Sequence, residues 1–191
     1  MVLPSIIEKD CSSMARIDLF SKLLEERIIM VSGKITAELS DIVVAELLYL
    51  ESIDPEEEIT MYIDSPGGDV IAGLAIYDTM NHVRCDIRTI CVGLCASMGS
   101  VLLSSGTKGK RCALPNSEIL IHQASGGMQG NLQDIMPHYK HLEKMNNKTC
   151  GILALNCNKS IDQIKRDTER DFWFETTKDA IEYGIIDKII G

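Results

Sequence analysis

"DIRTICVGLCASMGSVLLSSG", residues 86–106, begins as a strand and ends as a helix. Its first part alternates β-branched and apolar residues (Ile87, Thr89, Ile90, Val92), as a buried strand requires. From Ser97 the residues become small and then aliphatic, and Gly106 closes the run, which predicts a short helix. An earlier stretch has the same order: "EITMYIDSPGGDVIAGLAIYDTMNHV", residues 58–83, reads as strand, glycine turn and helix. Two such units in succession predict an α/β fold of repeated βαβ units.

The neighbouring segments continue the pattern. "IDLFSKLLEE" (17–26) has helical spacing, "RIIMVSG" (27–33) is a short buried strand, and "TAELSDIVVAELLYLESID" (36–54) is an amphipathic helix halted before Pro55. "KRCAL" and "EILIHQ" are strands, and "ASGGMQGN" is a glycine-rich extended segment. "LQDIMPHYKHLEKMNNKTCGILALN" (132–156) is a long helix, a possible projecting element. Pro137 interrupts it, so two starts are open: Asn131, with a bend at the proline, or a later start capped by Asp134. Ser160 with Gln163 predicts a capping box, and "TTKDAIEYGIIDKII" a helix, a stop at Gly184 and a strand. Residues 1–16 are expected to form an N-terminal arm outside a single domain spanning 17–191.

The chain has 191 residues, 28 acidic against 19 basic, for a net charge of −9. That balance argues against a general nucleic-acid or membrane-surface binder. The 5% aromatic content points to an aliphatic core. No signal peptide or membrane span is legible, and seven cysteines without disulfide spacing suggest a reducing, cytoplasmic setting. Cys91 and Cys95 read as core residues, and His138 and His141 as an exposed helix face, so no metal site is expected.

Both strand-to-helix turns have catalytic potential. Gly67 and Gly68 can expose backbone N–H groups, as can Met98 behind Ser97. Ser97 is either an N-cap or a nucleophile whose oxyanion those N–H groups hold. A nucleophile needs a base, and His122 at a strand end facing a groove is a credible one. For the orienting carboxylate, Asp162, Asp167 and Asp171 all stand in "SIDQIKRDTERDFW", and spacing alone does not choose among them. The G-x-S-x-G elbow is absent, since Cys95 takes its first glycine, and the order serine, histidine, aspartate is not that of the α/β-hydrolases.

"YIDSPGGDVIAGLAIYDTM", "TICVGLCASMGSVLLSSGTKGKR", "LPNSEILIHQ", "GGMQG" and "DTERDFW" together resemble the Clp protease proteolytic subunits, the ClpP family. The resemblance implies a crotonase/ClpP-like fold with a head (about 17–123 and 157–191) and a ring-joining handle (about 124–156). It implies Ser97 as nucleophile, His122 as base, Asp171 as orienting acid, and Gly68 and Met98 as oxyanion donors. Ser125, Gly126, Gly127, Met128 and Gln129 resemble the strand that pairs with substrate, and Arg170 a ring–ring contact. Leu48, Tyr62, His82 and Cys112 fall in the pocket that docks an ATP-driven unfoldase. The implied assembly is two stacked seven-membered rings degrading unfolded polypeptides. The chain has no G-x-x-x-x-G-K-[ST] loop, so ATP is expected to be bound by the partner, and no cofactor is expected.

Four positions depart from the family pattern. Ala124 stands where proline is usual, His82 where an aromatic is common, and Cys112 where a bulkier residue is seen; Pro137 falls inside the handle helix. Two alternatives compete with the peptidase reading: a crotonase-type acyl-CoA enzyme, and a non-catalytic or weakly active structural subunit of a mixed ring. The complete Ser97, His122 and Asp171 set argues against both.

Overall fold

The computed structural model of the chain describes residues 5–10 and 13–191. Parts of the expected N-terminal arm, residues 1–4 and 11–12 with Cys11, lie outside the described residues. The rest of that segment is not featureless: β1 (Ser5–Asp10) and β2 (Ser13–Asp18) pair antiparallel. The chain then runs through α1 (Leu19–Glu25), β3 (Ile28–Ser32), α2 (Ala37–Ile53), β4 (Ile59–Ser65), α3 (Val70–His82), β5 (Ile87–Ala96) and α4 (Met98–Ser104). It continues with β6 (Arg111–Ala113), β7 (Glu118–Ile121), α5 (Leu132–Cys157), α6 (Ile161–Asp167), β8 (Phe172–Trp173), α7 (Thr177–Tyr183) and β9 (Lys188–Ile189). The fold is α/β with a mostly parallel sheet, as the alternation predicts.

The main sheet runs β3-β4-β5-β6-β9, all parallel, and β7 also pairs with β5. β5 is therefore shared: Thr89–Cys91 face β6 and Leu94–Ala96 face β7. β8 adds antiparallel to β7. β3, β4, β5 and β6 follow one another through α2, α3 and α4, the crossover connection that parallel pairing demands. The core is aliphatic and sulfur-rich, with Val31, Leu47, Met61, Ile63, Ile76, Cys91, Leu102 and Ile121 fully buried. Each such side chain contributes roughly 1.5–3 kcal/mol by leaving water.

α4 stands at the centre. All seven of its residues are buried, and it packs against β4, β5, β6 and β7 and against α3 and α5. The small residues at its start permit that approach: a Cβ on Gly99 would come within 2.9 Å of the Ser65 carbonyl oxygen. Its Ser100 and Ser104 are buried at little cost, because each hydroxyl donates to a carbonyl one turn back, Ser97 O and Val101 O.

The structure decides one open alternative and corrects one expectation. α5 is one helix from Leu132, with the Asn131 side chain accepting from Asp134 N at 3.1 Å; the later start capped by Asp134 is not adopted. Pro137 thus lies inside the helix, where it leaves the Gln133 carbonyl without its helical donor. The first half of α5 is exposed on most sides, while Met145, Cys150, Leu153 and Cys157 of its second half are buried. At α6, Ser160 caps Gln163 N at 3.1 Å, but the Gln163 amide turns to Asp167 Oδ1 at 2.7 Å, so the box is not reciprocal. The reciprocal box is at α7, between Thr176 and Asp179.

One buried ion pair ties the sheet edge to the helices. Arg111, 1% exposed, binds Asp187 through both Nη2 (2.6 Å) and Nε (2.9 Å), and its Nη1 donates to the carbonyls of Ser104 and Asn156. Burial would raise the Asp187 carboxyl, but the Arg111 hydrogen bonds and charge outweigh it and lower the pKa to about 2. Among the described residues, no helix is long and apolar enough to cross a membrane.

Candidate active site

The site grows from three strand ends. β4 and β5 end together, with Ser65 opposite Cys95, so the Pro66–Gly68 turn lies beside Ala96–Met98. β7 pairs with the end of β5, and Ser97 N donates to Leu120 O at 3.0 Å, which carries His122 towards Ser97. β8 pairs with β7 in a register that sets Ile121 against Phe172. One step further along that antiparallel register, His122 falls opposite Asp171. Their side chains meet, Nδ1 to Oδ1, at 3.0 Å.

Ser97 occupies the N-cap position of α4 without acting as a cap. Its side chain makes no cap hydrogen bond, and its backbone is held at φ 56°, ψ −120°. A non-glycine residue in such a region costs on the order of 1–3 kcal/mol and persists only when its surroundings enforce it. Here Ser97 N donates to Leu120 O at 3.0 Å and Ser97 O accepts from Ser100 Oγ at 2.6 Å, and Gly67 leaves the room: a Cβ on Gly67 would sit 2.7 Å from Ser97 Cβ and 2.9 Å from Met98 N. Gly68 passes equally close to Ile35, where a Cβ would overlap the carbonyl oxygen at 2.2 Å. Ser65 Oγ shapes the turn by donating to Gly33 O at 2.6 Å and accepting from Gly67 N at 3.1 Å.

Two backbone donors remain open. Met98 is the first residue of α4, so its N–H has no intrahelical partner. Among the described residues, neither that N–H nor the one of Gly68 is taken up by a hydrogen bond. Ser97 and His122 line one small cavity, together with Val70, Val101, Thr149 and Leu153. The geometry offers a hydroxyl, an imidazole oriented by a carboxylate, and two free N–H groups, the set needed for acyl transfer.

Asp171 is 65% exposed and His122 30% on their side chains, so the pair is accessible. Asp162 and Asp167 are not at the site in this way: Asp162 lies in the exposed first turn of α6, and Asp167 accepts from Gln163 and the Tyr183 hydroxyl. Sequence reasoning missed the clamp that fixes the His122–Asp171 geometry. Gln123 N donates to Thr168 O at 2.8 Å, and its Nε2 to Glu169 O at 2.9 Å. The visible signal was a polar residue placed directly after the strand-end histidine.

Ser125–Gln129 follow as chain without regular structure, and among the described residues their backbone groups pair with nothing. With Gly68, Ile71 and Leu142 they line a groove of about 540 Å³ that His138 and His141 also face. Arg170 is exposed beside Asp171, and both line a neighbouring groove with His122. Leu48 on α2 and His82 at the end of α3 are exposed. Tyr62 and Cys112 share one row across β4, β5 and β6, with Ile90 between them. Cys112 has no exposed surface and can act on that face only through what packs over it.

The six described cysteines are all buried and free, and burial raises the thiols of Cys95 and Cys157, the latter to about 11. Cys95 and Cys157 are therefore protonated core residues at neutral pH, not nucleophiles. Among the described residues, no group of three or more histidine, cysteine or acidic side chains is placed to hold a metal ion.

A family model described as Clp protease matches residues 12–191. With the parallel α/β sheet and the site just described, that match establishes that the chain belongs to the Clp protease family and is a ClpP-type peptidase.

Proposed function

We propose that the chain is a serine endopeptidase in which Ser97 attacks the peptide carbonyl, His122 takes its proton, and Asp171 orients the imidazole. The observation that carries the reading is the register of β7 and β8, which supplies His122 with a carboxylate partner at the mouth of the cavity that holds Ser97. His122 then passes the proton to the leaving amine, and water repeats the sequence on the acyl-enzyme. The N–H groups of Gly68 and Met98 hold the oxyanion. Each such donor is worth about 10²–10³-fold in rate.

The unpaired backbone of Ser125–Gln129 supports main-chain pairing with an extended substrate, which is tolerant of sequence. In the assembled enzyme, two seven-membered rings enclose the sites, with Arg170 at the ring–ring contact. An ATP-driven unfoldase delivers unfolded chains and docks near Leu48, Tyr62 and His82. The free cysteines support a reducing, cytoplasmic setting. The test is hydrolysis of a short fluorogenic peptide by the purified protein, alone and with candidate unfoldases, alongside sedimentation analysis. Peptide cleavage that a serine-reactive fluorophosphonate abolishes is expected. Intact, double-ring protein without such cleavage would contradict the reading.

A further inference from the structure

His138 and His141 are exposed on α5, and the face that carries them borders a groove. His138, His141, Leu142 and Met145 recur at the i, i+3, i+4, i+7 spacing of one helical face, and all four line the groove of about 540 Å³. The rest of the lining is Gly68–Ile71 and Ser125–Gln129.

Both imidazoles are available as ligands. Among the described residues, neither takes part in a hydrogen bond or an ion pair, whereas His122 is committed to Asp171 through Nδ1. Side chains three residues apart on a helix hold their Cβ atoms about 5–6 Å apart. An imidazole nitrogen binds Zn²⁺ at about 2.0–2.1 Å, so two rings at this spacing can close on one ion. The surroundings favour a cation: Asp69 borders the groove, and no lysine or arginine does. Among the described residues, no third histidine, cysteine or acidic side chain completes the set. The remaining positions on the ion therefore go to water. Imidazole suits zinc, copper and nickel, while magnesium and calcium take oxygen ligands.

We propose that His138 and His141 form a two-histidine site for a divalent transition-metal ion of the zinc class, and that an ion bound there obstructs the substrate groove. The same groove contains Gly68, the proposed oxyanion donor, and the unpaired backbone of Ser125–Gln129. An extended chain that pairs with this backbone competes for space with the ion and its waters. Metal binding stands on the helix face alone, whereas obstruction rests on the serine peptidase reading.

The test titrates Zn²⁺ calorimetrically into the full-length protein and into His138→Ala and His141→Ala, with Mg²⁺ as the hard-ion control. Both positions are exposed, so neither substitution disturbs the core. Removing a group that merely orients a metal ligand costs about 10–100-fold in affinity, and removing the ligand itself is expected to cost at least that. The expected result is a Zn²⁺ site in the wild type that each variant weakens by this factor, with no matching heat from Mg²⁺. Peptide hydrolysis by each protein is then compared in Zn²⁺ and in a chelator. Zn²⁺ is expected to raise KM for the wild type and to lose that effect in both variants. Equal Zn²⁺ affinity in all three proteins overturns the site. Loss of the site in the variants with Zn²⁺ inhibition unchanged overturns the obstruction. Zn²⁺ binding that depends on both histidines, in a protein that neither cleaves peptide nor reacts with fluorophosphonate, upholds the site and overturns the obstruction together with the peptidase reading.

Discussion

Gly67 lies so close to Ser97 that a single added carbon, its Cβ, would stand 2.7 Å from Ser97 Cβ. The glycine also holds φ at 89°, a region that side chains rarely adopt. Gly67→Ala must therefore displace Ser97, Met98 N or both, and the catalytic geometry tolerates little displacement. The expected outcome is a fall of about 10²-fold or more in kcat with about 1–3 kcal/mol of lost stability. Steady-state kinetics beside a urea titration checks it; unchanged kcat would show that the contact does not position Ser97.

Asp171 reaches His122 through one hydrogen bond across a two-residue strand. Asp171→Asn keeps the shape but presents the imidazole with the wrong partner, and a loss of about 10²–10⁴-fold in kcat is expected. Asp171 is exposed, so the urea midpoint should hardly move. Asp167→Asn, which touches Tyr183 and Gln163 instead, should leave kcat within a few-fold of wild type. The reverse ranking would assign the orienting role to Asp167.

The Arg111–Asp187 pair makes stability depend on acid. The Asp187 carboxyl is lowered to about 2 in the fold, below its ordinary value of 3.8. Its stabilising contribution is complete above the ordinary value and is lost as pH falls through the folded one, on the order of 2 kcal/mol in all. Asp187→Asn should flatten that part of the pH–stability curve. Arg111→Ala leaves a carboxylate largely buried without its partner, at an expected cost of about 3–5 kcal/mol. Urea titrations between pH 2 and 7 measure both.

Pro137→Ala would return a donor to the Gln133 carbonyl and remove the ring that crowds it. Slower amide exchange is expected over the first turns of α5, by up to the ~3 kcal/mol that an interior proline costs. Equal exchange in both proteins would mean that the exposed helix absorbs the proline without strain. Sedimentation of the two proteins reads whether any double ring follows the same direction.

How much of this was legible in the sequence depends on the distance over which each contact forms. The alternation of strands and helices, both strand-to-helix turns and the position of Ser97 at the head of α4 were local and readable. Spacing could not choose among Asp162, Asp167 and Asp171, and only the family resemblance named Asp171, which stands 49 positions after His122 and meets it through pairing between β7 and a strand of two residues. So short a strand has no periodicity to detect. The β1–β2 pair was hidden by a polar composition. The α6 box failed because Gln163 found Asp167 one turn away, a competitor that the Ser160-to-Gln163 spacing does not register.

The most direct measurement of the central claim is mass spectrometry of the protein after fluorophosphonate treatment, compared with Ser97→Ala. The account predicts one adduct, on Ser97, formed together with loss of peptidase activity, and neither adduct nor activity in Ser97→Ala. An adduct on another residue, or near-normal hydrolysis by folded Ser97→Ala, would contradict it.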